Sequence, residues 1–199
     1  MDKITWCLQK KDGLELIDPN SNLSEAYMKK AESALASMRV VTEKEWIIAT
    51  AYYTMYLAVY AIMMKIGVKC EIHSCSIEFV KVFLDKYFNE EESDFLKKSL
   101  QARIDKQYYI DREVADEQYD TMVKRAPEYL IKAKSILMQI SEKEIKEIRN
   151  RISNMQKTDK DNEDVEKLFK NAKNIQPKYK YTAKEMKKEI EKEMTKIKK

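Results

Sequence analysis

The stretch WIIATAYYTMYLAVYAIMM, Trp46 to Met64, decides the fold, because it carries no charged residue. A helix that is apolar all round is either the centre of a soluble bundle or a membrane span, and this one is nearly long enough to cross a bilayer. Tyr52, Tyr53, Tyr56 and Tyr60 fall through its middle, whereas a span keeps its tyrosines near the two interfaces. A bundle follows, and no membrane is expected. Both ends of the helix carry signals. Thr42 and Glu45 have the spacing of a capping box, with Val41 and Trp46 as its hydrophobic staple. Gly67 offers the left-handed residue that closes a helix near Ile66.

The rest of the chain agrees with an all-α fold. Its 199 residues contain only two glycines and three prolines, and 36% are charged. That leaves few of the turns an all-β protein needs, and the abundant lysine and glutamate are good helix formers. Upstream, Tyr27, Ala31, Ala34, Leu35 and Met38 recur at helical spacing from Leu23 onward. Downstream, helices are expected over roughly 74–87, 90–109 and 116–140, with Pro127 bending or interrupting the last.

Ser141 and Glu144 form a second capping box, and Ile145, Ile148, Ile152 and Met155 give a narrow apolar seam behind it. A polar link near Thr158 to Asp164, a short helix ended by Pro177, and a terminal helix opened by Thr182 and Glu185 complete the chain. This extension must dock on the core, dock on another subunit, or stay partly mobile. At the other end, Ile4, Trp6 and Leu8 alternate with polar neighbours, and Asp12-Gly13 precedes Leu14 and Leu16. That pattern predicts a short N-terminal β-hairpin. The organisation is therefore a hairpin segment at 1–22, a helical bundle at 23–140 and a helical, terminally basic extension at 141–199.

Net charge is +4, and residues 178–199 hold nine lysines against four glutamates, a local +5 that leaves about −1 for the remainder. Attraction to an acidic partner should concentrate in that tail. Three cysteines make no disulfide framework, and no signal peptide opens the chain, so a reduced cytoplasm is the expected compartment. Two isolated glycines exclude phosphate-loop and dinucleotide fingerprints, and no cofactor is expected. The one histidine sits in Cys70-Glu71-Ile72-His73-Ser74-Cys75. Cys70, His73 and Cys75, with Cys7 as a fourth, are weak metal candidates because their spacing matches no common zinc module. Buried thiols acting as small hydrophobes explain them better. Tyrosines at helical spacing could stack bases, but in an uncharged helix they are more often core.

The most specific feature is distributed. Ala49-Thr50-Ala51-Tyr52-Tyr53-Thr54-Met55-Tyr56 is followed by Gly67, then Ile72-His73-Ser74 leading into Phe79-Val80, then Leu100-Gln101-Ala102-Arg103 and Tyr108. In this order the set resembles the HEPN domain, in its branch with an Ala-Tyr-Tyr second helix, over roughly residues 24–140. The resemblance implies an up-and-down helical bundle that forms symmetric homodimers. It also implies a ribonuclease toxin, or a partner of a small nucleotidyltransferase in toxin–antitoxin or defence systems. Catalytic members carry Arg-x(4–6)-His. Here Arg103 fits, Asp105 lies close by, and Tyr108 stands where the histidine would be.

That departure argues against catalysis. Metal-free RNA cleavage needs a proton acceptor that titrates near neutrality, and an ordinary tyrosine titrates near 10. Positions five apart on a straight helix also diverge by about 140°. Arg103 and Tyr108 should therefore converge only through a helix break or a facing subunit. The expectation is a nucleotide- or RNA-binding, or partner-binding, module with Arg103, Lys106, Tyr108 and Tyr109 as contact residues. The alternatives are a divergent metal-independent ribonuclease using Arg103 and Tyr108, and a structural adaptor acting through residues 141–199.

Overall fold

A computed structural model describes residues 2–157. The expectations on the link after Thr158, on Pro177, on the Thr182–Glu185 box and on the basic tail lie outside the described residues. Within them the protein is all-α with one small two-stranded sheet. The elements are α1 (Lys3–Gln9), β1 (Glu15–Leu16), α2 (Ser21–Met38), α3 (Lys44–Ile66), β2 (Val68–Lys69), α4 (His73–Phe83), α5 (Glu90–Tyr108) and α6 (Asp116–Gln139). A seventh helix, α7, covers residues 142–157.

The uncharged helix is the hub. Fifteen of the twenty-three residues of α3 are buried, and it packs chiefly on α2, α6 and α5. By length and composition α3 could span a membrane, but 78% of its most apolar window is buried inside the bundle. Its polar groups are satisfied locally. Thr54 Oγ1 donates to the Thr50 carbonyl at 2.8 Å, and Ser24 of α2 donates to the Ala61 carbonyl at 2.7 Å. Gly67 ends the helix with φ +83°, the left-handed conformation that Cβ-bearing residues avoid.

The N-terminal segment differs from its sequence pattern. Residues 3–9 form a helix, not the first arm of a hairpin. Ile4, Cys7 and Leu8 are buried at steps of three and four, while Trp6 faces out. Seven residues satisfied both periods, and tertiary contact chose the helical one. Asp2 caps it by accepting from the Thr5 backbone N–H at 2.9 Å. The strand that follows is real, but its partner is distant: Glu15 pairs antiparallel with Lys69 and Leu16 with Val68.

The capping signals had mixed outcomes. Because α3 starts at Lys44, Glu43 is the N-cap and Glu45 stands one position too early for the box; Thr42 reaches only the Glu43 carboxylate. The Ser141–Glu144 box forms. The Ser141 backbone N–H donates to the Glu144 carboxylate at 3.0 Å, and the Glu144 N–H donates to Ser141 Oγ at 3.2 Å. Helix α6 runs through Pro127 without interruption. The lost backbone hydrogen bond is outweighed by the buried face of Ala126, Tyr129, Leu130 and Ala133. Beyond it, Ile145, Ile148 and Ile152 of α7 are buried, so this part of the 141–199 stretch docks on the core.

Arg149 fixes that docking. Its Nη1 donates to the carbonyls of Ile17, Ile66 and Gly67 at 2.7, 3.0 and 2.9 Å.

Candidate functional site

Arg103 projects from the last turns of α5 toward α3. Its Nη2 donates to Tyr53 Oη at 2.8 Å. The guanidinium carbon lies 5.4 Å from the centre of the Tyr53 ring and 5.3 Å from that of Tyr108. Two aromatic rings thus flank one cation, within the distance at which a ring quadrupole attracts it. Among the described residues the buried Nε–H of Arg103 has no hydrogen-bond partner, and no carboxylate pairs with this arginine. A buried donor left unpaired costs about 1–3 kcal/mol.

Beside it stands the one histidine. His73 opens α4, its Nδ1 is 2.7 Å from Tyr52 Oη, and its ring stacks on Tyr56 at 4.1 Å with 8° between planes. Burial, and then the positive charge of Arg103, push the His73 pKa below its ordinary value. Burial also raises Tyr52, which stays a neutral phenol. Were the phenol the acceptor, its own buried O–H would have no partner, so Tyr52 donates to Nδ1. Neutral His73 then carries its proton on Nε2. The Arg103 guanidinium and the neutral imidazole of His73 are thus near enough for the charge of the first to act on the second.

The sequence-predicted site residues divide into two groups. Arg103 and Tyr108 meet within one chain, which corrects the expectation that a break or a second subunit was required. Tyr108 is the last helical residue before the extended Tyr109, and the long arginine side chain spans the angular gap. Asp105, Lys106 and Tyr109 belong to a separate cluster. Asp105 binds Arg112 at 2.6 Å and accepts from Gln101; Lys106 binds Glu113 at 3.0 Å; and Tyr109 lies 3.6 Å beneath the Arg112 guanidinium. The Arg112 hydrogen bond holds the Asp105 carboxyl below the usual range. Those residues tie the end of α5 to the following loop.

Tyr52 and Tyr56 are core residues, and Tyr53 alone of the central pair is half-exposed. Tyr53 and His73 are the site members that the Arg-x(4–6)-His spacing did not reach. The faint signal for them was a stripe of outward positions, Trp46, Thr50, Tyr53 and Leu57, on an otherwise buried helix.

The metal candidates are not arranged for metal. Cys75 is disulfide-bonded to Cys7, with Cα atoms 5.5 Å apart. That bond also corrects the expectation of three reduced thiols. Cys70 is free and buried, and its S–H donates to the Ile72 carbonyl at 3.3 Å. Among the described residues no group of three His, Cys, Asp or Glu side chains is placed to hold a metal ion. A separate cavity of about 290 Å³ lies between Phe83, Tyr87 and Ile148. Its cations are already engaged, Lys86 by Glu144 and Arg151 by the Val82 carbonyl.

No family model matches the chain, and no curated protein matches it in sequence.

Proposed function

We propose that the Arg103 cluster binds the phosphate groups of a nucleotide or of RNA, and that the protein is a HEPN-like binding module rather than an enzyme. One observation carries this: a partly buried arginine, flanked by Tyr53 and Tyr108, keeps a buried N–H without an acceptor and has no carboxylate partner among the described residues. A phosphate oxygen supplies an acceptor through a charge-assisted bond to the guanidinium, and reaches the buried Nε–H when the side chain shifts to present it. The exposed Tyr108, 65% accessible, offers a ring on which a base can stack. The resemblance adds a homodimer serving a toxin–antitoxin or defence system, with a nucleotidyltransferase partner; the cytoplasm as its compartment rests on the sequence alone.

The test is binding of a fluorescent 5′-phosphorylated oligoribonucleotide across a salt series. Arg103→Ala should weaken binding tenfold or more, on the order of one charged hydrogen bond, and flatten the salt dependence. Affinity unchanged by that substitution would sink the proposal.

The ribonuclease alternative gains one specific observation, since His73 brings an imidazole beside Arg103. The Tyr52 bond works against it, because Nε2 then carries a proton when a general base needs its lone pair there. Cleavage in the presence of a metal chelator, lost in both Arg103→Ala and His73→Asn, would establish the enzyme. The adaptor alternative loses residues 142–157, which are committed to the bundle.

A further inference from the structure

We propose that the Cys7–Cys75 disulfide is a redox-operated latch on the Arg103–His73 site. For its consequence on ligand binding the proposal rests on the phosphate-binding function given above. The coupling itself stands on geometry. Cys75 lies two residues after His73, in the first turn of α4. That helix begins without side-chain support: its N-cap is Ile72, which makes no capping hydrogen bond. The position of His73 therefore depends on what is packed around the first turn.

Two sets of contacts hold it. On one side stand Tyr52 and Tyr56 of α3. On the other side the N-terminal arm clasps the segment from β2 into α4. Leu16 pairs with Val68, the Glu71 N–H donates to the Asp12 carbonyl at 2.9 Å, Lys3 pairs with Glu78 at 3.7 Å, and Cys7 is bonded to Cys75. Helix α1 has only seven residues, too few to persist without tertiary support. The covalent bond is its strongest attachment, so cutting it frees one side of the clasp.

The chemistry requires an external reductant. Cys70 is the only other cysteine, but burial raises its pKa and keeps it a thiol, which is a poor attacker. A dithiol reductant of the cytoplasm is the fitting class. Its thiolate attacks the Cys7 sulfur once α1 opens; the S–S bond breaks, and Cys75 leaves as a thiolate and takes a proton. The second thiol of the reductant then attacks the mixed disulfide and releases Cys7, which is protonated in turn. Two electrons pass to the protein, and the dithiol becomes a disulfide. In a reducing compartment such a bond forms only under oxidative conditions, the setting of a regulatory disulfide.

His73 is the only histidine in the chain, so its ring gives one unambiguous set of NMR resonances in the full-length protein. The experiment records that set during pH titration without ligand, in oxidised protein, after reduction with dithiothreitol, and after reoxidation. The oxidised protein should titrate below the ordinary histidine value. Reduction should shift or broaden the resonances and raise the midpoint toward that value, and reoxidation should reverse the change. Cys7→Ser should match the reduced state; if it fails to fold, the wild-type redox cycle still decides.

Two outcomes overturn the latch. Either Cys7 and Cys75 resist alkylation in folded protein under excess dithiothreitol, or full reduction leaves the His73 titration unmoved. Oligoribonucleotide affinity is then compared in the two states, with a change of about fivefold or more expected. No binding in either state, with His73 responding to reduction, would refute the binding function and leave the coupling intact.

Discussion

Two arginines of this protein show what separates a structural cation from a functional one. Arg149 gives one nitrogen to three backbone carbonyls, those of Ile17, Ile66 and Gly67, and so satisfies the end of α3 and the N-terminal arm together. Arg103 is held by one phenol and two rings, and its Nε–H has no acceptor among the described residues. The first turns one nitrogen wholly to the backbone of the fold; the second keeps a buried donor in reserve. A partly buried cation with an unspent donor is a poor way to stabilise a helix end and a good way to receive an anion.

The largest expected effect lies on the Arg149 side. Arg149→Ala strands the carbonyls of Ile17 and Ile66, while that of Gly67 keeps the Ile17 N–H, and it should cost about 2–4 kcal/mol of stability, given about 1–3 kcal/mol for a buried group left unsatisfied. Urea unfolding measures this, and a loss below about 1 kcal/mol would erase the contrast. Arg103→Ala should behave in the opposite way, losing oligoribonucleotide binding while stability stays within about 1 kcal/mol, as for substitutions away from the core. Tyr53→Phe removes only the acceptor for Arg103 and should cost about 0.5–1.5 kcal/mol at most, with weaker but measurable binding.

The smallest and most gradual effect is with pH. The folded pKa of His73 is depressed, so its contribution is fully present above the ordinary histidine value of about 6.5. As pH falls below that value the unfolded chain takes up a proton that the folded chain refuses, and stability declines. A second decline follows in the carboxylate range. Glu144, held down to about 2 by Lys86 and the Ser141 cap, favours the fold only while it is ionised. Thermal midpoints from pH 7.5 to 5 should fall in wild type and stay flatter in His73→Asn. Parallel curves would show that His73 is not neutralised by folding.

The sequence revealed the hub because nineteen uncharged residues with central tyrosines admit few other places in a fold. It revealed Gly67 because a left-handed cap needs that residue, and the Ser141 box because its partners are three residues apart. Local signals failed where a one-residue shift of helix start mattered, as at Thr42, and where a short run fitted two periods, as at Ile4 to Leu8. The site was half legible. Arg103 and Tyr108 lie on one helix and could be found by spacing, whereas Tyr53 is fifty residues from Arg103 and His73 arrives on a separate helix. The Cys7–Cys75 bond, with a separation of 68, obeys no local rule at all.

The meeting point at Gly67 has a consequence for the order in which the protein is made. Ile17 donates its N–H to the Gly67 carbonyl, the same oxygen that receives Arg149, and 132 residues separate the two ends of this junction. A ribosome that has released the first six helices has therefore synthesised both halves of the clasp but not the residue that locks them. Until Arg149 emerges, the carbonyls of Ile66 and Ile17 remain open to water or to a chaperone, and the nascent chain waits on its last described helix to close a junction begun near its first.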